Sequence, residues 1–221
     1  MKKILIASLM SLFLSGIAHA GSFGLGVTGS LAATQASGKE SDKAGTADSS
    51  LREATAGNNV VIPSVFAEYS FDNGFTIGYD YTIGSADVNQ KKLTRTDDST
   101  EANQDGDRSA NAEIENVMSL YAELPLHAGL YAKAGFVQMD VNTTEKFSGT
   151  LSGTYGNTSV DGSMYGFGYK NTFGTNGFYK VEGTHTTMDS MTFKSSTTDK
   201  GNQIKADLDV TKATFAIGYS F

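Results

Sequence analysis

The sequence has no cysteine and no tryptophan, and only two prolines and three histidines among its 221 residues. Without cysteine there is no disulfide scaffold, zinc ribbon or thiol catalysis. Basic residues are in short supply, with 17 Lys and Arg against 24 Asp and Glu and a net charge of −7. A nucleic-acid partner would need a basic stripe to neutralise phosphates, so that class is excluded. Long apolar runs are missing as well. Beyond the N-terminal leader the longest is Val60–Pro63, far below the ~18 residues that a membrane helix requires. Glycine alone is plentiful, at 25 against a usual share of about 7%.

Residues 1–20 read as a cleaved secretory signal peptide. Lys2 and Lys3 supply the basic end, Ile4 to Ile17 the apolar core, and Ala18-His19-Ala20 the small-x-small site before Gly21. Losing Lys2 and Lys3 lowers the net charge from −7 to −9. An exported chain without spanning helices is periplasmic, secreted, or a barrel in the outer membrane.

The periodicity of the remaining chain points to the barrel. Phe75, Ile77, Tyr79, Tyr81 and Ile83 alternate with Thr76, Gly78, Asp80 and Thr82. A period of two places the apolar set on one sheet face and the polar set on the other. Ala213, Phe215, Ile217, Tyr219 and Phe221 repeat the pattern, as do Phe23, Leu25, Val27 and Leu31, and Val61 through Phe71. Weaker segments put Ala112, Ile114, Met118, Leu120, Ala122 and Leu124 on one face, then Leu130 to Phe136, Tyr165 to Phe173, and Tyr179 with Val181. Val137, Met139 and Val141 switch parity, which marks a bulge or the end of the embedded part.

Eight segments result, and their connections sort by length. Short ones lie at Asp72-Asn73-Gly74, Pro125 to Ala128 and Gly174 to Gly177; long polar ones lie at about 35–59, 87–109, 142–163 and 188–205. Strict alternation of tight turns and long loops is the asymmetry of an outer-membrane barrel. Phe23, Phe71, Phe75, Phe173, Phe178 and Phe221 all fall at the short-turn end, as a periplasmic aromatic girdle would. The expected fold is all-β: an eight-stranded antiparallel up-and-down transmembrane β-barrel over residues 21–221. A soluble barrel with the same alternation turned inside out is the competing reading, and ten strands would follow if one long loop held another membrane hairpin.

The last segment, Ala213-Thr214-Phe215-Ala216-Ile217-Gly218-Tyr219-Ser220-Phe221, resembles the C-terminal signal read by the outer-membrane assembly machinery. Phe215, Ile217, Tyr219 and Phe221 carry that likeness. In pattern, residues 21–221 resemble a small OmpA-like or opacity-type outer-membrane barrel protein. The resemblance implies a Gram-negative-type outer membrane with both termini periplasmic. The implied partners are membrane lipid, lipopolysaccharide, the assembly machinery and periplasmic chaperones. It also implies a chain lacking the peptidoglycan-binding module of two-domain relatives.

In a barrel this narrow, side chains fill the bore. The parity places Glu68, Asp80, Glu115, Glu123, Lys133, Lys170, Lys180, Glu182 and Lys212 inside, and buried charges need partners. A lumen ladder of Lys–carboxylate pairs is expected. Many other inward positions are small, including Gly24, Gly26, Gly78, Gly168 and Gly218. They leave room either for the long chains opposite or for a wet, narrow path. The expected role is structural or surface-interacting, with a narrow porin-like channel as the alternative and adhesion through the loops as the third.

No catalytic, metal or cofactor motif emerges. Glu101, Asn103 and Asp105 precede Gly106 at calcium-loop spacing, but the twelfth position is Ala112 rather than Glu. An acidic, solvated loop fits better than divalent-cation or lipopolysaccharide bridging. His127 falls in a turn. His185-Thr186-Thr187 loosely suggests the His and hydroxyl of a lipid A deacylase, with Thr where Ser is expected and no orienting carboxylate in view. The chain therefore reads as a non-enzyme.

Overall fold

The computed structural model describes residues 21–41, 52–88, 93–97, 106–147, 155–194, 196 and 203–221. The leader at 1–20 and the calcium-loop candidates Glu101, Asn103 and Asp105 lie outside the described residues. The strands are β1 (Gly21–Ser41), β2 (Arg52–Phe71), β3 (Thr76–Thr82), β4 (Ala86–Asp87), β5 (Leu93–Asp97) and β6 (Gly106–Pro125). They continue as β7 (Leu130–Phe147), β8 (Thr158–Phe173), β9 (Gly177–Met188), β10 (Met191–Lys194) and β11 (Gln203–Ser220).

These form eight antiparallel staves, because β3, β4 and β5 share one and β9 and β10 share another. β11 returns to β1 in unbroken register from Gly24–Ser220 to Ser41–Gln203, which closes the barrel. Gly21, Phe221 and the three short turns lie at one end. At the first turn Gly74 takes φ +83°, a left-handed conformation that only glycine adopts at no cost. Asn73 stays outside that region and instead accepts a hydrogen bond from Phe75 N at 3.0 Å through its Oδ1. The Asn-Gly signal is real, but its two residues do different work.

At the other end the staves run well past the expected boundaries. β1 continues to Ser41 and β11 begins at Gln203, inside stretches the sequence pattern assigns to loops. The alternation is hidden there because it changes sign. On the turn-side half, Phe23, Leu25, Val27, Phe136, Phe167 and Val181 face outward and are exposed. On the loop-side half, Gln35, Ser37, Lys39, Glu53 and Thr55 occupy that outer face, while Ile114, Val137, Met139, Val141, Leu208 and Val210 are buried inside. Lys39 and Glu53 pair across β1 and β2 at 2.7 Å. That hydrogen bond and charge raise the Lys39 ammonium above its ordinary value. The barrel is thus apolar outside and polar inside at one end and, at the other, polar outside and apolar inside. Val60–Pro63 straddles the change: Val61 and Pro63 face lipid while Val60 and Ile62 already face the apolar interior.

β6 carries a bulge between Glu115 and Met118. Asn116 takes φ 52° there, a region Asn tolerates better than most residues. Its Nδ2 donates to Asp140 at 3.0 Å and its Oδ1 accepts from the Tyr81 hydroxyl at 3.3 Å. The one extra residue reverses parity, so Ala112 and Ile114 face inward, not outward as the pattern suggests. β7 is continuous from Leu130 to Val141 in its pairing with β8. The parity switch at Val137 therefore marks the end of the lipid-facing band, not a bulge.

Candidate functional site

Four aromatic rings line the turn-side bore, each opposite a glycine in direct register: Phe66 with Gly26, Tyr121 with Gly78, Tyr131 with Gly168, and Phe178 with Gly218. A Cβ on those glycines would meet the ring at 2.5, 2.2, 2.3 and 2.3 Å respectively. Gly26, Gly78, Gly168 and Gly218 are therefore seats for rings.

The rings surround Lys180 of β9, which is 1% exposed. Its Nζ lies 5.4 Å from the Phe66 centroid and 5.7 Å from both tyrosine centroids, and cation–π attraction partly replaces lost hydration. Lys180 donates to Glu123 at 2.7 Å and also to Glu68. Lys170 donates to Glu68 at 2.7 Å. Lys133 donates to Glu182 at 2.8 Å, sits 3.9 Å from Glu123 and lies 3.8 Å over the Tyr121 ring. The Tyr131 hydroxyl completes Glu182 at 2.5 Å. Three carboxylates and three ammoniums thus lock five staves together, since these residues come from β2, β6, β7, β8 and β9. Buried pairs of this kind give modest net stability, but losing one partner strands the other charge.

Asp80 and Lys212 also face inward, one layer toward the loops. They line a small polar space of about 20 Å³ together with Lys133, Lys180, Glu182 and Thr184. The structure brings eight of the nine expected lumen charges to this axis. Glu115 is the exception: the Asn116 bulge turns it to the outer, loop-side face opposite Asp140.

The aromatic girdle needs one correction. Phe23, Phe71, Phe75, Phe173 and Phe221 face outward at the turn end, joined by Tyr69, Tyr169, Tyr179 and Tyr219. Phe178 is 2% exposed and points inward, where Lys170 lies 4.4 Å over its ring. Strand parity explains this, because Tyr179 and Val181 face lipid. Phe215, Ile217, Tyr219 and Phe221 are all exposed on the outer face of β11 and its end.

His127 is exposed in its turn. His185 faces outward on β9, with Nδ1 3.0 Å from Thr211 Oγ1 and Nε2 3.5 Å from Thr187 Oγ1. Thr186 points inward and is buried. The sequence reading missed Asp209, which β11 places 3.9 Å from His185 Nε2. That exceeds hydrogen-bond reach, so among the described residues no carboxylate orients the ring as a catalytic relay requires.

No family model and no curated protein matches this chain. Solved structures similar to it include the outer membrane protein OprG from Pseudomonas aeruginosa, at 12% identity over 92% of this chain and 98% of that one, with a TM-score of 0.50. The outer membrane protease OmpT from Escherichia coli matches at 8% identity over 94% and 99%, with a TM-score of 0.49. The outer membrane protein AlkL matches at 14% identity over 94% and 93%, with a TM-score of 0.48. At such identities the likeness to OprG bears on fold alone, and the fold is that of a transmembrane β-barrel.

Proposed function

We propose that this chain is a non-conducting, non-enzymatic outer-membrane barrel with a structural and surface-interaction role. The observation that carries the reading is the Lys180 cluster. Four rings and three salt-bridged carboxylates occupy the bore where an ion would have to pass, and Lys180 itself is almost fully enclosed. An ion crossing there must displace buried charge pairs, whereas barrels that conduct freely have about 16 or more strands. Both described ends lie at the short-turn side, which fits periplasmic termini in a Gram-negative-type envelope. The exposed Phe215, Ile217, Tyr219 and Phe221 suit recognition by the assembly machinery and its chaperones. The girdle and the polar loop-side wall suit lipid and lipopolysaccharide around it.

Planar-bilayer recording tests the closed bore. The wild-type protein is expected to give no unitary steps, while Lys180→Ala, which opens space beside Glu68 and Glu123, gives at most brief ones. Regular wild-type openings abolished by filling the bore with Gly78→Leu would establish the narrow channel instead.

A further inference from the structure

Above the charge cluster the bore widens into two stacked spaces whose chemistry is the reverse of the polar one. The lower, about 50 Å³, is lined by Val60, Ile62, Ile114, Val137, Met139 and Val210 among others. The upper, about 200 Å³, is lined chiefly by Val141, Tyr155, Met191, Phe193, Ile204 and Leu208. From these observations we propose that the loop-side cup is a binding site for an uncharged small molecule with an alkyl or aryl body.

Polar side chains in the lining are largely engaged already: Thr34 donates to Asn58 O, Thr82 pairs with Ser64, Thr143 donates to Tyr155 O and Asn111 donates to Asp87. Asp207 is the charged side chain of the upper space, and Ser190 already donates to it. Lys212 is the charged side chain of the lower one, at the floor it shares with the polar chamber beneath. Water in such a space finds few partners, so its release to bulk by an apolar guest is favourable. The upper space, at about 200 Å³, lies below the range of drug-sized pockets, about 300–1,000 Å³, so the guest it suits is small. Met139 and Met191 give an adaptable thioether wall that accepts guests of varied shape. The polar outer face of the same staves keeps this half of the barrel in water, so the cup takes its guest from the aqueous side. The site rests on the closed-bore reading, which makes the cup a dead end instead of a vestibule.

The absence of native tryptophan supplies the test. Phe193→Trp puts a lone fluorophore in the cup wall, and Phe167→Trp puts one on the lipid face. Each protein is reconstituted in phosphatidylcholine vesicles and titrated with 1-bromooctane, a heavy-atom quencher. The expected result is saturable quenching of Phe193→Trp at about tenfold lower concentration than the non-saturating quenching of Phe167→Trp. Adding Ala56→Phe, which fills the upper space, returns the cup reporter to the lipid-face curve. Leu208→Gln serves the same purpose should the bulkier variant lose its heat-modifiable gel migration. Equal quenching of the two reporters overturns the site, as does saturable quenching that survives both variants. Channel currents are read separately, so a failed closed bore is distinguishable from a failed binding site.

Discussion

The Tyr121 ring lies against Gly78, its directly opposed partner on β3, so closely that a Cβ on Gly78 would stand 2.2 Å from Tyr121 Cζ. The same ring carries the Lys133 ammonium at 3.8 Å. Displacing the ring therefore disturbs the charge cluster as well as the packing. Gly78→Ala is expected to cost about 1–3 kcal/mol by overpacking. Gly29→Ala, where a Cβ meets nothing within 4 Å, is expected to be neutral or slightly stabilising. Urea unfolding in lipid vesicles compares the two, and equal effects would contradict the ring-seat account.

Lys180 holds Glu68 and Glu123; Lys170 also reaches Glu68 at 2.7 Å, but the other ammonium near Glu123, that of Lys133, is 3.9 Å away. Lys180→Met is expected to cost about 3–5 kcal/mol by stranding buried charge. Adding Glu123→Gln recovers part of that loss, giving a coupling above about 0.5 kcal/mol in a double-mutant cycle. Strict additivity would mean the pair does not act as a unit.

The change of polarity along the staves makes lysine scanning depth-dependent. Phe167→Lys on the lipid face of β8 is expected to cost about 2–4 kcal/mol, the range for a lysine near the bilayer midplane, and Ser163→Lys about 0–1 kcal/mol. Both positions face outward and are exposed, so only the surrounding solvent distinguishes them. The same unfolding assay reads the difference.

Alternation with a fixed sign was what the sequence displayed plainly. Phe75–Ile83 and Ala213–Phe221 are apolar on one face over their whole length, and Glu68, Glu123, Lys133, Lys180 and Glu182 follow inward from their neighbours. Phe178 is misread when position at a turn is weighed above parity, although Tyr179 and Val181 already assign it to the interior. Glu115 depends on one bulge, and the only hint is an Asn in mid-strand, a residue that tolerates positive φ. The cup is the hardest part to see. Its outer residues are polar and many inner ones are alanine, as at Ala36, Ala56 and Ala206, so the stretch resembles a solvated loop. Val137, Met139 and Val141, together with the all-apolar Val60–Pro63, were the readable signs that the interior had changed character.

The account turns on where lipid ends along a single stave, and β7 offers the most direct measurement. With no native cysteine, single cysteines at 130, 132, 134, 136, 138, 140 and 142 can each be spin-labelled in vesicles, and collision rates measured with oxygen and with a water-soluble nickel chelate. The expected profile favours oxygen from 130 through 136 and changes over to nickel at 138, 140 and 142. Oxygen-dominated collisions persisting through 142 would place the apolar cup inside the bilayer and contradict the inversion. Nickel-dominated collisions at all seven positions would contradict the membrane barrel itself.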